Sequence, residues 1–427
     1  MTQVLRGPMI RFDGSPFSGG ALVYEEDGAL ALANGIIQAV GSAETIAASF
    51  PDSAVADAGG LIAPGFVDAH LHYPQIGVIA SWGADLIDWL NRYTFPEEAR
   101  FGDPDYAATA AQSYFDEQLR HGITTGASFC TIHPASVDAY FAEAARRGLR
   151  AVGGKVMMDR NAPDNLRDTA QSGHDDSAAL IARWHGSGRA SYAITPRFAP
   201  TSTPAQLEAT GALAAAHPDC LIQTHLSEQH RELAWVAELF PEETDYLAVY
   251  ERYGLVGPRS VFGHAIHLTE RERAALAEHG AAIAHCPTSN QFLGSGECDV
   301  GGSLAQGIRV GLSTDTGGGT SYSMFDTMKS AYEVAARRGQ ILTPAQLWWL
   351  ATAGAADALG LPDKIGNLAP GMEADFTVLD VASTPLLHRR IQRAESIEET
   401  LFAQIILADD RAVKAVWSDG AKVWPAA

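Results

Sequence analysis

In the stretch Pro64-Gly65-Phe66-Val67-Asp68-Ala69-His70-Leu71-His72, two imidazoles stand one residue apart at the end of an apolar run. The run reads as a short strand. Strand side chains alternate between faces, so His70 and His72 point the same way and could share a metal ion. A His-x-His is equally compatible with two surface histidines, so further ligands must be sought. Candidates recur where later apolar runs end: Arg197 in Thr195-Pro196-Arg197-Phe198, His225 in Gln223-Thr224-His225-Leu226-Ser227-Glu228, His264 in Phe262-Gly263-His264, and Asp315 in Leu312-Ser313-Thr314-Asp315. Three histidines and a carboxylate suit Zn2+ or Fe2+, and such an ion brings the pKa of a bound water down towards neutrality. Glu228, three residues past His225, is placed to shuttle protons. Asp315 could touch the metal and also take the proton of the water, and His264 could be a ligand or a hydrogen-bond partner of that water. Each has a plainer alternative. Glu228, read as opening a helix, would serve the helix dipole, Arg197 could form a salt bridge, and Asp315 before Thr316-Gly317-Gly318-Gly319 could shape a turn. The other histidines fall on helices, in loops or off these run ends and are expected to be structural or superficial; of these His267, three residues past His264, lies nearest the set.

The elements that must position these groups read as an alternation. Candidate strands lie at 61–70, 123–129, 150–157, 191–197, 221–226, 260–265, 281–286 and 308–314, and helical patterns at 105–120, 135–147, 175–185, 204–216, 228–239 and 269–279. Thr203-Pro204 and Thr269-Glu270 look like helix starts. Eight βα units predict an α/β fold, a (β/α)8 TIM-type barrel, with an open doubly wound sheet as the alternative. In a barrel the C-terminal strand ends form one rim, which would gather the six polar side chains above. The two ends of the chain are β-rich: Ala21-Leu22-Val23-Tyr24 and Ala29-Leu30-Ala31-Leu32 are bounded by Asp27-Gly28 and Asn34-Gly35, the latter a hairpin signal. After a helix expected at 343–360, strands return at 370–379 and 413–417. The expected organisation is a composite β-sandwich from 1–63 and 361–427 flanking a catalytic barrel at 64–360. The connection 73–104 is long for a barrel loop, and long loops are often functional.

Lys and Arg number 30 against 51 Asp and Glu, a net charge of -21, so duplex DNA, RNA and anionic membranes are poor partners. A single neutral nucleobase is not excluded. The four scattered cysteines form no C-x-x-C pair, which argues against a disulfide framework and fits a reducing, cytoplasmic setting. Neither a signal peptide nor a membrane span is expected. The deaminase zinc motif with His-x-Glu and Pro-Cys-x-x-Cys is absent, since Cys286-Pro287 runs in the opposite order.

Over nearly its whole length the chain resembles the amidohydrolase superfamily, and within it the guanine deaminases. Pro64–His72 and Pro370-Gly371-Met372-Glu373-Ala374-Asp375 resemble the superfamily's entry and exit motifs. The narrower likeness rests on Tyr73-Pro74-Gln75, Asp88-Trp89-Leu90-Asn91-Arg92-Tyr93-Thr94-Phe95-Pro96-Glu97-Glu98, Arg197-Phe198, Thr224–Glu228, Cys286-Pro287-Thr288-Ser289-Asn290, Ser313–Asp315 and Ser321-Tyr322-Ser323-Met324. The resemblance implies one zinc ion per chain held by His70, His72, His225 and Asp315, with His264 near the water. It implies a purine, guanine, contacted by Gln75, Arg197, Phe198, His225 and Glu228, with Trp82 as a further contact from the long loop. The implied reaction removes the 2-amino group to give xanthine and ammonia, in a cytoplasmic homodimer. The alternatives are a related deaminase acting on 8-oxoguanine, a pterin or a triazine, or a barrel scaffold without activity, which would lack ligands or Glu228.

Overall fold

The computed structural model describes residues 2–83 and 86–425. Met1, Ala84, Asp85, Ala426 and Ala427, which belong to the predicted terminal segments and the 73–104 connection, lie outside the described residues.

Eight strands run parallel in sequence order: Phe66–Leu71, Ile123–Phe129, Arg150–Gly154, Ala190–Pro196, Leu221–Leu226, Ser260–His264, Ala282–His285 and Arg309–Leu312. Their inward residues, among them Val67, Ala69, Ala127, Val152, Ala193, Val261, Ala282 and Ala284, are small or branched and fill the barrel. Closure between the last strand and the first comes from the segment just past Leu312. The Asp315 N–H donates to His70 O at 3.0 Å and the His72 N–H to Thr316 O at 3.1 Å. The buried Asp68 carboxylate accepts from the Thr314 N–H at 2.9 Å and from the Thr314 hydroxyl. The two candidate metal-binding segments are thus tied to each other directly.

The predicted strand 61–70 is in fact two. Leu61–Pro64 pairs antiparallel with Phe376–Leu379, and the barrel begins only at Phe66. The break falls at Gly65, whose N–H donates to Asp375 O and where a Cβ would lie 2.3 Å from Thr124 Oγ1. Both pieces are buried throughout, so hydrophobic pattern could not divide them. The predicted helices form as Pro104–Arg120, Pro134–Arg147, Ala170–Trp184, Pro204–Ala216, His230–Leu239 and Glu270–Glu278. Thr203 and Thr269 cap theirs, each accepting from a backbone N–H in the first turn. Two readings need correction. Glu228 does not open a helix: the helix starts at His230, and Glu228 lies in the turn before it, after Ser227 at φ +50°. The helix expected at 343–360 is divided into Pro344–Leu350 and Ala353–Ala358, and Ala351 O at the break accepts the Val67 N–H.

Both chain ends build one sheet, in the order Ala421–Trp424, Val413–Ser418, Phe376–Leu379, Leu61–Pro64, Gln3–Phe12, Leu22–Ala33, Ile36–Ser42, with Ala54–Asp57 on Gln3–Phe12. Leu5, Met9, Leu30 and Ile37 from one half share a core with Ile62, Phe376, Val378 and Ala415 from the other. Asn34 and Gly35 both take positive φ, 53° and 76°, as a two-residue hairpin turn requires. Asp27-Gly28, by contrast, makes no turn and sits inside the single strand Leu22–Ala33, where Gly28 opposes Gly7.

Arg189 joins this sheet to the barrel. It pairs with both Glu373 and Asp375 and donates to Ser418 Oγ at 2.8 Å, while Arg150 makes a two-pronged pair with Glu373. Removing one partner from a largely buried cluster strands the others, so Arg189→Gln is expected to cost about 3 kcal/mol, read as a lower urea midpoint. An unchanged midpoint would show that the cluster does not couple sheet to barrel. Among the described residues, no helix is long and apolar enough to cross a membrane.

Candidate active site

The barrel rim brings His70, His72, His225, His264, Glu228 and Asp315 together, all with little or no solvent exposure. His70 Nε2 and His72 Nε2 lie 3.4 and 3.6 Å from Asp315 Oδ1, and His72 Nε2 lies 3.2 Å from His225 Nε2. His225 Nδ1 donates to Arg197 O at 2.6 Å, which leaves its Nε2 lone pair facing the cluster. His70 Nε2 is buried without a hydrogen-bond partner. A buried nitrogen left bare, and two imidazole nitrogens facing each other with no hydrogen assured between them, fit a cation that accepts lone pairs. Burial and the neighbouring positive groups push the His72 and His225 pKa values well below the ordinary imidazole value, and burial also lowers that of His70, so all three favour the neutral form that ligates. Burial opposes ionisation of Asp315, but the facing His70 ring and positive charge at His264 bring its pKa to about 2.

His264 stands on the other side of Asp315, its Nε2 3.8 Å from Asp315 Oδ2 and 3.6 Å from Glu228 Oε2. Its Nδ1 donates to Asn290 Oδ1 at 2.8 Å, which fixes the ring. Burial works against charge on His264, yet the Glu228 carboxylate and other acidic neighbours raise its pKa well above the ordinary value. Glu228 Oε1 accepts from Ser295 Oγ at 2.8 Å. Burial first, and then the Asp315 charge, raise the Glu228 pKa against the pull of His264. It is therefore the carboxyl in the cluster readier to hold a proton.

Local backbone supports this placement. Ser227, His264 and Asp315 all take left-handed φ, at 50°, 67° and 49°, a conformation that costs non-glycine residues about 1–3 kcal/mol each and collects at functional sites. The glycines after Asp315 do more than turn the chain. A Cβ on Gly317 would lie 2.0 Å from Gln75 Oε1, and one on Gly318 3.1 Å from Asp315 Oδ2. Gly263 has the same role beneath His70, since a Cβ there would meet His70 Cε1 at 2.9 Å. Gly263→Ala is expected to push that ring aside and lower metal affinity about 10- to 100-fold, as losses of ligand support do. Competition against a chromophoric chelator measures it, and an unchanged affinity would show that the ring has room.

Beside the cluster opens a small cavity. His72, His225, Glu228, His264 and Asp315 form one side, Gln75, Arg197 and Phe198 another, and Leu86, Trp89, Leu90 and Leu293 supply apolar walls. Arg197 Nη1 donates to both oxygens of Glu98, at 2.9 and 3.0 Å, and Gln75 Nε2 donates to Glu98 Oε1 at 2.8 Å. A flat ring with polar edges fits such a slot: apolar faces for its faces, donors and an acceptor for its rim.

The amidohydrolase family model matches residues 61–423. This chain belongs to the amidohydrolase family. Guanine deaminase of Escherichia coli (strain K12) is 44% identical over 406 residues, covering 95% of this amidohydrolase and 92% of the relative. A solved E. coli guanine deaminase superposes with a TM-score of 0.96 at 43% identity over 99% of each chain. Further off, a structure of an adenosine deaminase from Xanthomonas campestris with bound zinc has a TM-score of 0.83 at 26% identity, over 98% of this chain and 92% of that one.

The amidohydrolase barrel places Gln75, Arg197, Phe198, His225 and Glu228 on the cavity, but not Trp82. That side chain is 69% exposed and does not line the cavity; Trp89, seven residues on, does. Trp89 is buried at the end of the helix Leu86–Trp89, so only the second tryptophan faces inward. Sequence reasoning also passed over Glu98, Asn290 and Ser295. Asn290 lay in a quoted motif without a role. Ser295, in Gly294-Ser295-Gly296, carried no signal beyond a glycine-rich turn.

Proposed function

We propose that this amidohydrolase catalyses hydrolytic deamination of guanine to xanthine and ammonia, a step of purine catabolism, with one zinc ion per chain. The observation that carries this reading is a single cavity lined by His72, His225, His264, Asp315, the buried Glu228, Arg197 and Gln75, with His70 3.4 Å from Asp315. The similarity to guanine deaminases over nearly the whole chain supports the same substrate.

His70, His72, His225 and Asp315 would hold the metal. When bound, zinc would supply an acidified water and a positive centre that offsets negative charge on the attacking oxygen. The chain's own residues do the rest. Arg197 donates to the purine carbonyl oxygen and Phe198 packs on the ring. Asp315 Oδ2 accepts the proton of the attacking water. Glu228 Oε2 delivers a proton to the ring nitrogen beside C2, so that the ring need not carry the charge alone. His264, bonded to Asn290 and lying between Glu228 and Asp315, orients the water. Asp315 then passes its proton to the departing amine, and the remaining hydroxyl proton returns to Glu228 as the C2 carbonyl forms. The apolar walls keep bulk water from this relay.

Zinc is favoured over iron by the neutral imidazole set and by the zinc in the Xanthomonas neighbour. We read the sheet built by 1–63 and 361–427, expected as a β-sandwich, and the barrel at 64–360 as two domains, with the proposed catalytic set in the second. The resemblance supports a homodimer, which light scattering tests. Four buried, unpaired cysteines support a reducing, cytoplasmic setting. The deciding experiment follows guanine absorbance in purified protein whose metal has been counted. Loss of guanine with matching xanthine and about one zinc per chain is expected. Turnover of 8-oxoguanine, a pterin or a triazine with none of guanine would overturn the reading.

A further inference from the structure

Near its end the long connection forms the short helix Phe95–Glu98, whose two acids have different partners. Glu97 turns to the loop's own support: its Oε1 accepts from the Tyr106 hydroxyl and its Oε2 lies 3.0 Å from Arg100 Nη1. Glu98 turns inward and is fully buried. We propose that Glu98 is a positioning residue that decides which hydrogen-bonding edge of a heterocycle this pocket accepts: a lactam edge, a ring N–H next to a carbonyl.

An ionised carboxylate only accepts hydrogen bonds. Gln75, bonded to Glu98 at 2.8 Å, must therefore present its amide nitrogen to that residue, and its Oε1 must face away. Gln75 Oε1 is indeed buried with no hydrogen-bond partner, on a side chain that lines the cavity. Gly317 lies close by, where any Cβ would come within 2.0 Å of Oε1, so no side chain there can satisfy it. Glu98 also holds Arg197 through Nη1, on both carboxylate oxygens, leaving the remaining guanidinium N–H groups for a ligand. One carboxylate thus sets an acceptor, Gln75 Oε1, beside donors on Arg197.

A lactam complements this wall, its N–H meeting Gln75 Oε1 and its carbonyl meeting Arg197. An aminopyrimidine edge has both groups reversed: a ring lone pair would face Gln75 Oε1, and an amino group would face the guanidinium. A site built of buried, oriented polar groups rejects the reversed pattern strongly because its own groups are left unpaired. The inference rests on the deamination reading only in that guanine carries such an edge. The edge preference itself holds for ligands that are never turned over.

The test compares equilibrium binding of hypoxanthine and adenine, which differ at this edge, to zinc-loaded protein by competition calorimetry. Wild type is expected to favour hypoxanthine by at least about 30-fold. Glu98→Gln is isosteric, but its new amide N–H2 attracts Gln75 Oε1 and invites the Gln75 amide to turn over. The preference is expected to fall to within about threefold, with guanine KM rising more than kcat falls. If that variant fails to fold, Gln75→Met keeps the Glu98–Arg197 pair and is expected to lose the same preference. Wild type that binds both ligands alike, or a folded variant that keeps the preference, overturns the role of Glu98. Protein that favours hypoxanthine yet leaves guanine unconverted supports that role and retires the deamination reading instead.

Discussion

Glu228→Gln is expected to lower guanine turnover about 10³-fold while metal content and fold are retained, within the range that a positioned general acid contributes. The geometry makes this substitution a clean one. Glu228 Oε1 is occupied by Ser295 Oγ, an interaction that a glutamine oxygen can accept equally well. Only Oε2, 3.6 Å from His264 Nε2, is left to exchange a proton. The variant keeps shape and packing and removes the proton. Steady-state kinetics on guanine with zinc counted in the same sample measures it. Turnover at the wild-type rate would refute the proton-delivery role.

Asp315→Asn is expected to cost more, about 10⁴-fold in turnover, the upper end for removal of a positioned proton acceptor. Asp315 faces His70 and His72 through Oδ1 and His264 through Oδ2. Its pKa near 2 keeps it ionised at any working pH. Asparagine is the same size but brings neither the charge that balances a dication nor a basic oxygen. The two losses separate by titration with zinc. If saturating zinc restores full turnover, Asp315 serves only as a ligand; the expectation is that zinc rebinds and the rate stays low.

Much of this arrangement is written in local pattern. The runs at 221–226 and 260–265 end in His225 and His264, and a barrel reading alone carries those ends to one rim. His264 is visible because the run before it, Ser260-Val261-Phe262-Gly263, is mostly apolar, and His225 because it closes the short run opened by Leu221-Ile222. What was not legible depended on direction rather than type. Leu61–Pro64 and Phe66–Leu71 are equally buried, so nothing in their hydropathy says that one joins the terminal sheet and the other the barrel. Trp82 and Trp89 are alike in sequence and opposite in exposure. Glu97 and Glu98 are adjacent acids with different partners, and only packing assigns one to Tyr106 and the other to Arg197. In the long connection no periodicity states which side is inside, and that is where reasoning from residue types stops.

The sheet shared by the two chain ends has a bearing on birth as well as on architecture. Thr377 Oγ1 donates to Ala63 O across a separation of 314 residues. At ribosomal rates of about 5–20 residues per second, the early strands wait on the order of half a minute for that neighbour to emerge. Until then Leu61–Pro64 has an open edge where Phe376–Leu379 will later dock. A nascent chain stalled before residue 376 is therefore a species for chaperones to hold, and final locking of the molecule waits until 376–379 has emerged.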